Sequence, residues 1–300
     1  MLMKILIILL FSFISVGFYS LIEQKILGYM NNRIGPNKIL FIGLIQFISD
    51  FIKLVFKDNI YLLLFNYLSY YFFIYMFFVI SLMYWIMLPF FLNLFNLKFM
   101  ILFMIMLMIN KIILFIIIIW SLNSVYSIIS LIRLIIQNLS FEILFMLIMF
   151  MYIFMYKNFN LIYYNNYNLS SFIFFSYLVF YVWMLVMLVE LNRIPFDFLE
   201  SESELISGVN LEFSSINFLL LFLIEYLDMI FFMIISLIVF MNLNIMKMYS
   251  YIILMLFMLL LLLFRGFFVR YRIDKLLYLL WKFFFPMLMN LFVFLIYLKF

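Results

Sequence analysis

Apolar runs of about 20 residues, separated by short polar clusters, recur along the chain and show none of the period-2 alternation of strands. Lipid cannot satisfy backbone polar groups, so spans must be helices or closed barrels, and this pattern selects helices. It predicts an all-α polytopic membrane protein with eight transmembrane helices near 3–22, 68–91, 99–119, 128–156, 169–190, 217–241, 249–264 and 279–298. The uncharged run from Ile60 to Leu97 is too long for one perpendicular span and implies a surface approach before the second helix. The first run, from Ile5 to Ile22, lacks the polar region and small-residue cleavage site of a signal peptide and is expected to be a retained span.

Two segments depart from the pattern. In "ILFIGLIQFISDFIKLVFKD" (39–58), Gly43, Gln46, Asp50, Lys53 and Lys57 recur at offsets of three and four. They form one polar stripe on an amphipathic interfacial helix. Such a helix is either a membrane-surface connector or one wall of an opening toward lipid. The second segment, "ELNRIPFDFLESESELISGVNLEF" (190–213), holds six of the chain's 13 carboxylates. Within an acidic loop over 191–216, Asn192 reads as a cap and Pro195 as the first turn of a short helix ending at Gly208. On that helix Asp197, Glu200 and Glu204 share about 60° of arc, while Glu202 points elsewhere. Acids so close must hold protons or pair with arginines.

Composition sharpens this. The chain is 71% hydrophobic and 10% charged, with a mean hydropathy of +1.33, which excludes a soluble domain. It contains no Ala, Thr, His or Cys, a bias that follows A/T-rich codons and points to an organelle genome. Without thiolate or imidazole there is no disulfide, no Cys or His ligand for zinc, haem or iron–sulfur, and no Ser-His-Asp or Cys-His nucleophile. Any redox centres must belong to partners. Lys and Arg favour the loops after helices one, three, five and seven by ten to five, which orients those loops inward. The acidic segment and the basic run Arg265, Arg270, Arg272 then share one side, so these arginines could neutralise the acids or simply anchor the membrane face.

Ionisable residues inside spans are costly and mark function by default, the alternative being a structural ion pair. Glu142 qualifies, with Gln137 and Ser140 nearby in sequence. So do Glu225 and Asp228, which are three residues apart and share a helix face. Lys111, near the middle of the third span, fits either a partner's carboxylate or snorkelling. Arg33, beside the turn Gly35-Pro36-Asn37, is either an anion partner or an interfacial anchor. The stretch 157–170, rich in Asn and Tyr, reads as a solvated connector.

The stretches "EQKILGYMNNRIGPNK", "GLIQFISDFIKL", "RLIIQNLSFEI", "ELNRIPFDFLESESELISGVNLEFSS", "EY" at 225–226 and "RYRIDKLLYLLWKFFFP" occur in this order. Across essentially its whole length the chain resembles subunit 1 of NADH–ubiquinone oxidoreductase, respiratory complex I. The resemblance implies an eight-helix core subunit of the mitochondrial inner membrane, with matrix-facing odd loops. It implies a proton-translocating enzyme in which this chain is not catalytically complete alone. NADH, FMN and iron–sulfur clusters would reside in partner subunits, with none of these cofactors and no metal bound here. Ubiquinone would be the substrate, lipids and other complex I subunits the partners, and nucleic acid no part of it. Carried over by motif, Arg33 and Asp50 belong to the quinone entrance. Asp197, Glu200, Glu202, Glu204, Glu212, Arg265, Arg270 and Arg272 belong to the quinone chamber. Glu142, Glu190, Glu225 and Tyr126 belong to a proton-coupling path. The chain departs from the family at Gln24, Ile34, Leu199, Ser201 and Val269, and Lys111 and Asp228 match no family position. The rival readings are an ion-coupled secondary transporter, for which repeats and broken helices are expected, and a membrane scaffold, for which buried acids are needlessly expensive.

Overall fold

The computed structural model describes residues 2–37, 43–59, 66–88, 98–164, 172–197, 213–241 and 247–297. Its helices are α1 (Leu2–Met30), α2 (Gln46–Val55), α3 (Tyr67–Met87), α4 (Met100–Leu122), α5 (Val125–Tyr156), the single turn α6 (Leu161–Tyr164), α7 (Phe172–Glu190), α8 (Ser215–Met241), α9 (Met248–Phe267), α10 (Ile273–Leu279) and α11 (Phe285–Tyr297). A π-helical stretch, Leu280–Phe284, joins α10 to α11. Among the described residues there is no strand. By length and composition α1, α3, α4, α5, α8, α9 and the joined α10–α11 can each cross a membrane, and Tyr177–Glu190 of α7 forms a shorter apolar helix.

The helix ends differ from the sequence expectations for local reasons. α1 continues past residue 22 to Met30, because Glu23 is buried against cationic partners instead of meeting solvent. It closes where Arg33 N–H donates to Gly28 O at 2.9 Å and Asn32 takes a φ of 52°, a left-handed C-terminal closure. α4 and α5 are joined by two residues only. Asn123 ends α4 with a φ of 53°, and the Ser124 hydroxyl accepts from Ser127 N–H at 3.2 Å to cap α5. α10 begins at Ile273, earlier than residue 279, with Asp274 favourably placed in the first turn. The π-helical register just ahead of Pro286 accommodates the missing N–H of that residue. α2 covers Gln46–Val55 only. Gly43 precedes it in a turn at φ 74°, where an added Cβ would lie 2.3 Å from Pro36 O, and Lys57 follows it.

α8 is the axis of the bundle. It is apolar almost all round, and most of its side chains from Leu220 to Phe240 are buried. α1, α2, α3, α6, α7 and α9 all pack on it. Aromatic side chains fill the joints: Tyr84 of α3 stacks on Phe231 at 4.7 Å, and Phe240 receives Tyr152, Phe180 and Trp183. The outer faces stay apolar and exposed, as at Leu10, Phe11, Phe72 and Leu256, which suits lipid as solvent.

Candidate functional site

α7 ends at Glu190, level with Asp228 in the middle of α8 and Lys111 in the middle of α4, all three lining one cavity. Lys111 lies 11 residues before the end of α4, and α4 and α8 therefore run on for roughly 16–20 Å beyond this level at 1.5 Å per residue. The chain after α7 folds back inside that sleeve. Leu191, Asn192 and Arg193 donate backbone N–H groups to Met187, Val189 and Leu188, and Asn192 adopts a φ of 48°. Asn192 thus closes α7 instead of capping a new helix, and residues 191–197 form turns with no helix starting at Pro195. Gln137 of α5 pins this segment by donating to Val189 O at 3.0 Å and Phe196 O at 3.3 Å. From the other side Tyr271 N–H donates to Pro195 O at 3.0 Å.

The polar wall of the cavity consists of Lys111, Asn138, Glu190, Asn192, Glu225 and Asp228, set among Phe77, Phe115, Phe213 and Ile224. Its volume is about 60 Å³. Lys111 pairs with Asp228 across α4 and α8, so its partner lies within this chain and not on another subunit. Oδ1 of Asp228, of Asn138 and of Asn192 are buried and accept no hydrogen bond. Buried acceptors of this kind are characteristically satisfied by water, and the cavity has room for a few molecules. Glu225 and Asp228 share a helix face, yet the Asp228 side chain is 1% exposed and that of Glu225 47%.

A second set of charges extends from this cavity. Arg193 stands 3.5 Å from Glu225 and 3.7 Å from Glu23 of α1, with its guanidinium 4.7 Å from the Tyr226 ring centroid. Tyr226 donates its hydroxyl to Glu23 Oε2 at 2.5 Å, and Arg265 of α9 pairs with Glu23 Oε1. Arg265 therefore neutralises α1, whereas the sequence suggested the acidic loop. Arg270 does meet that loop, at Asp197, 3.9 Å away. Arg272 is exposed at the start of α10.

The remaining expected residues scatter. Glu142 is half-buried against Ile105, Met108 and Phe145 in a narrow gap between α4 and α5, on a different face from Gln137. Tyr126 is exposed in the first turn of α5 and does not line the cavity. Asp50 accepts from Gln46 at 3.0 Å and lines a separate cavity of about 170 Å³ with Gln24, Phe47 and Phe222, enclosed by α1, α2 and α8. Arg33 is exposed beyond α1 and does not line that cavity. Glu200, Glu202, Glu204 and Glu212 lie outside the described residues. Among the described residues no three carboxylates converge as metal ligands. Sequence reasoning missed Glu23 and Arg193 as site residues. The signal was present, since both fall within the quoted motifs and neither charge suits a span.

An all-helical bundle with an exposed apolar surface and an ionisable interior defines a polytopic membrane protein. Its family is shown directly: the chain belongs to the NADH dehydrogenase family, whose model matches residues 3–296. It is 36% identical to the NADH-ubiquinone oxidoreductase chain 1 of Anopheles gambiae over 289 residues, covering 95% of this chain and 91% of the other. To the protein of the same name from Locusta migratoria it is 35% identical over 295 residues, 98% and 94% of the two chains. To that of Strongylocentrotus purpuratus it is 31% identical over 291 residues, 91% and 88%.

Proposed function

We propose that this chain is a core membrane subunit of proton-pumping NADH–ubiquinone oxidoreductase in the mitochondrial inner membrane. It helps wall the ubiquinone chamber and couples quinone reduction to proton translocation through its buried carboxylates. The observation that carries this reading is the cavity that brings Glu190, Glu225 and Asp228 together with one ammonium, continued through Arg193 to Glu23 and Arg265. The names of its relatives supply NADH and ubiquinone as reactants. Electron carriers belong to partner subunits, because this chain offers neither thiolate nor imidazole.

Quinone enters from lipid beside α2, whose Ile48, Ile52 and Val55 face outward on one side while Asp50 and Phe47 line the cavity toward α1 and α8. The acid-rich segment 190–213 and the arginines Arg270 and Arg272 are assigned to the chamber on the matrix side, and Arg270 approaches Asp197 at 3.9 Å. Reduction of quinone consumes protons and alters local charge, and the carboxylates respond as a coupled set. A secondary transporter fits less well, since the sequence shows no internal repeat of the kind such transporters carry.

The test is Glu190→Gln in the assembled complex. NADH–ubiquinone reductase activity and pumping fall together, while NADH oxidation by a hydrophilic artificial acceptor persists. Undiminished quinone turnover with full pumping defeats the reading.

A further inference from the structure

The pair formed by Lys111 and Asp228 lies outside the motifs that carry the family resemblance. Stability does not account for it. A buried ion pair stabilises little, and apolar residues of the same volume often do as well or better. What distinguishes this pair is its location. Lys111 pairs with Asp228 and lines the same cavity as Glu190, so carboxylates on two different helices border the space that holds one ammonium. The pair uses only Oδ2 of Asp228, and Oδ1 is buried without a hydrogen-bond partner. The Lys111 ammonium lies 5.5 Å from the Phe77 ring centroid, a contact that leaves its direction adjustable.

We propose that Lys111 follows negative charge between Asp228 and Glu190 as a proton passes between them. This inference rests on the proton-coupling reading above. In one state Glu190 is a carboxylic acid and Asp228 a carboxylate paired with Lys111. The proton leaves Glu190, crosses the cavity through water, and forms an O–H bond at Oδ1 of Asp228. The ammonium then loses its attraction to Asp228 and turns to the Glu190 carboxylate. One O–H bond breaks, one forms, and net charge is conserved, which a low-dielectric interior requires. The titratable groups facing the pair are Tyr84 of α3, Glu190 of α7 and Glu225 of α8, while Glu142 of α5 acts on Glu190 from its separate gap. Lys111 is a positioning residue here, and Asp228 a proton carrier.

The test uses the assembled complex with Lys111→Met, Asp228→Asn and the double variant, which is neutral and similar in volume. The double variant is expected to assemble and reduce quinone, with a several-fold loss of pumping per electron and an altered pH profile. Wild-type pumping and pH profile in the double variant overturn the proposal and leave the pair purely structural. If substitutions to neutral residues block assembly, Asp228→Glu keeps the charge and serves instead. Turnover-induced infrared difference spectra should show a carboxyl C=O band that Asp228→Glu displaces, and an undisplaced band overturns the proposal. Glu190→Gln run in parallel separates the two readings. Normal pumping there removes the whole proton path. A defect there beside a normal double variant removes only the role of the pair.

Discussion

The Arg193 guanidinium lies 3.7 Å from the buried carboxylate of Glu23, tying the segment after α7 to α1. Arg265 converges on the same carboxylate from α9, and the Tyr226 hydroxyl donates to it from α8. One acid thus joins four parts of the chain that are distant in sequence.

Glu23→Gln should keep the hydrogen bond from Tyr226 but remove the carboxylate that Arg265 pairs with and one of the two that Arg193 approaches. Removing one partner of a buried pair costs about 3–5 kcal/mol. The expected outcome is loss of the assembled complex on native gels, with partial recovery in Glu23→Asp. Full assembly of Glu23→Gln would show that water can replace the network.

Gly17 lets Phe47 of α2 lie directly on α1, since a Cβ there would come within 2.4 Å of the Phe47 ring. Gly17→Val should displace α2 at an overpacking cost of about 1–3 kcal/mol. The cavity holding Asp50 and Gln24 changes shape with it. Steady-state kinetics should show a raised KM for short-tailed quinones with smaller losses in assembly. An unchanged KM argues against an entrance at α2.

Glu142→Gln and Glu225→Gln should both assemble and both lower quinone turnover together with pumping. Glu142 lies in a gap lined, among the described residues, by apolar side chains, and Arg193 keeps Glu23 when Glu225 is neutral. Ala at either position should be less stable than Gln, because it also leaves a cavity. Native gels combined with turnover check this, and full activity in both Gln variants defeats the proton-path role.

Glu200→Gln or Glu204→Gln should slow electron transfer from NADH to quinone while sparing the artificial acceptor route. The motive is their position in the acid-rich loop that follows Asp197, where Arg270 already approaches. Normal quinone reductase activity in both variants counts against a chamber role for the loop.

Arg33→Leu should raise the apparent KM for short-tailed quinones more than it lowers assembly. Arg33 is exposed just beyond the end of α1, so its loss is expected to cost little packing. A variant that loses the complex but leaves residual enzyme with normal quinone kinetics marks Arg33 as an anchor only.

The sequence by itself determined the solvent, the class and the number of apolar segments. Runs of about 20 apolar residues admit one solution in lipid, and α3, α4, α5 and α8 are helices long and apolar enough to cross it. Helix ends were less legible where charges are involved. Glu23 and Asp274 looked like loop residues, yet α1 and α10 run through them, because burial against Arg265 in one case and a helix N-terminus in the other makes a charge acceptable. The acids at 142, 190 and 225 were visible as expensive residues, since cost can be read from residue type and depth. Which of them meet could not be read. Glu190 joins Glu225 and Asp228 only because α7 stops halfway along α8, while Glu142 turns into a separate gap and Tyr126 outward. Lys111 and Asp228 are 117 residues apart, and no pattern along one helix links them. Their pairing depends on the packing of α4 and α8 around a shared level, a property of helix rotation and depth that only the tertiary structure decides.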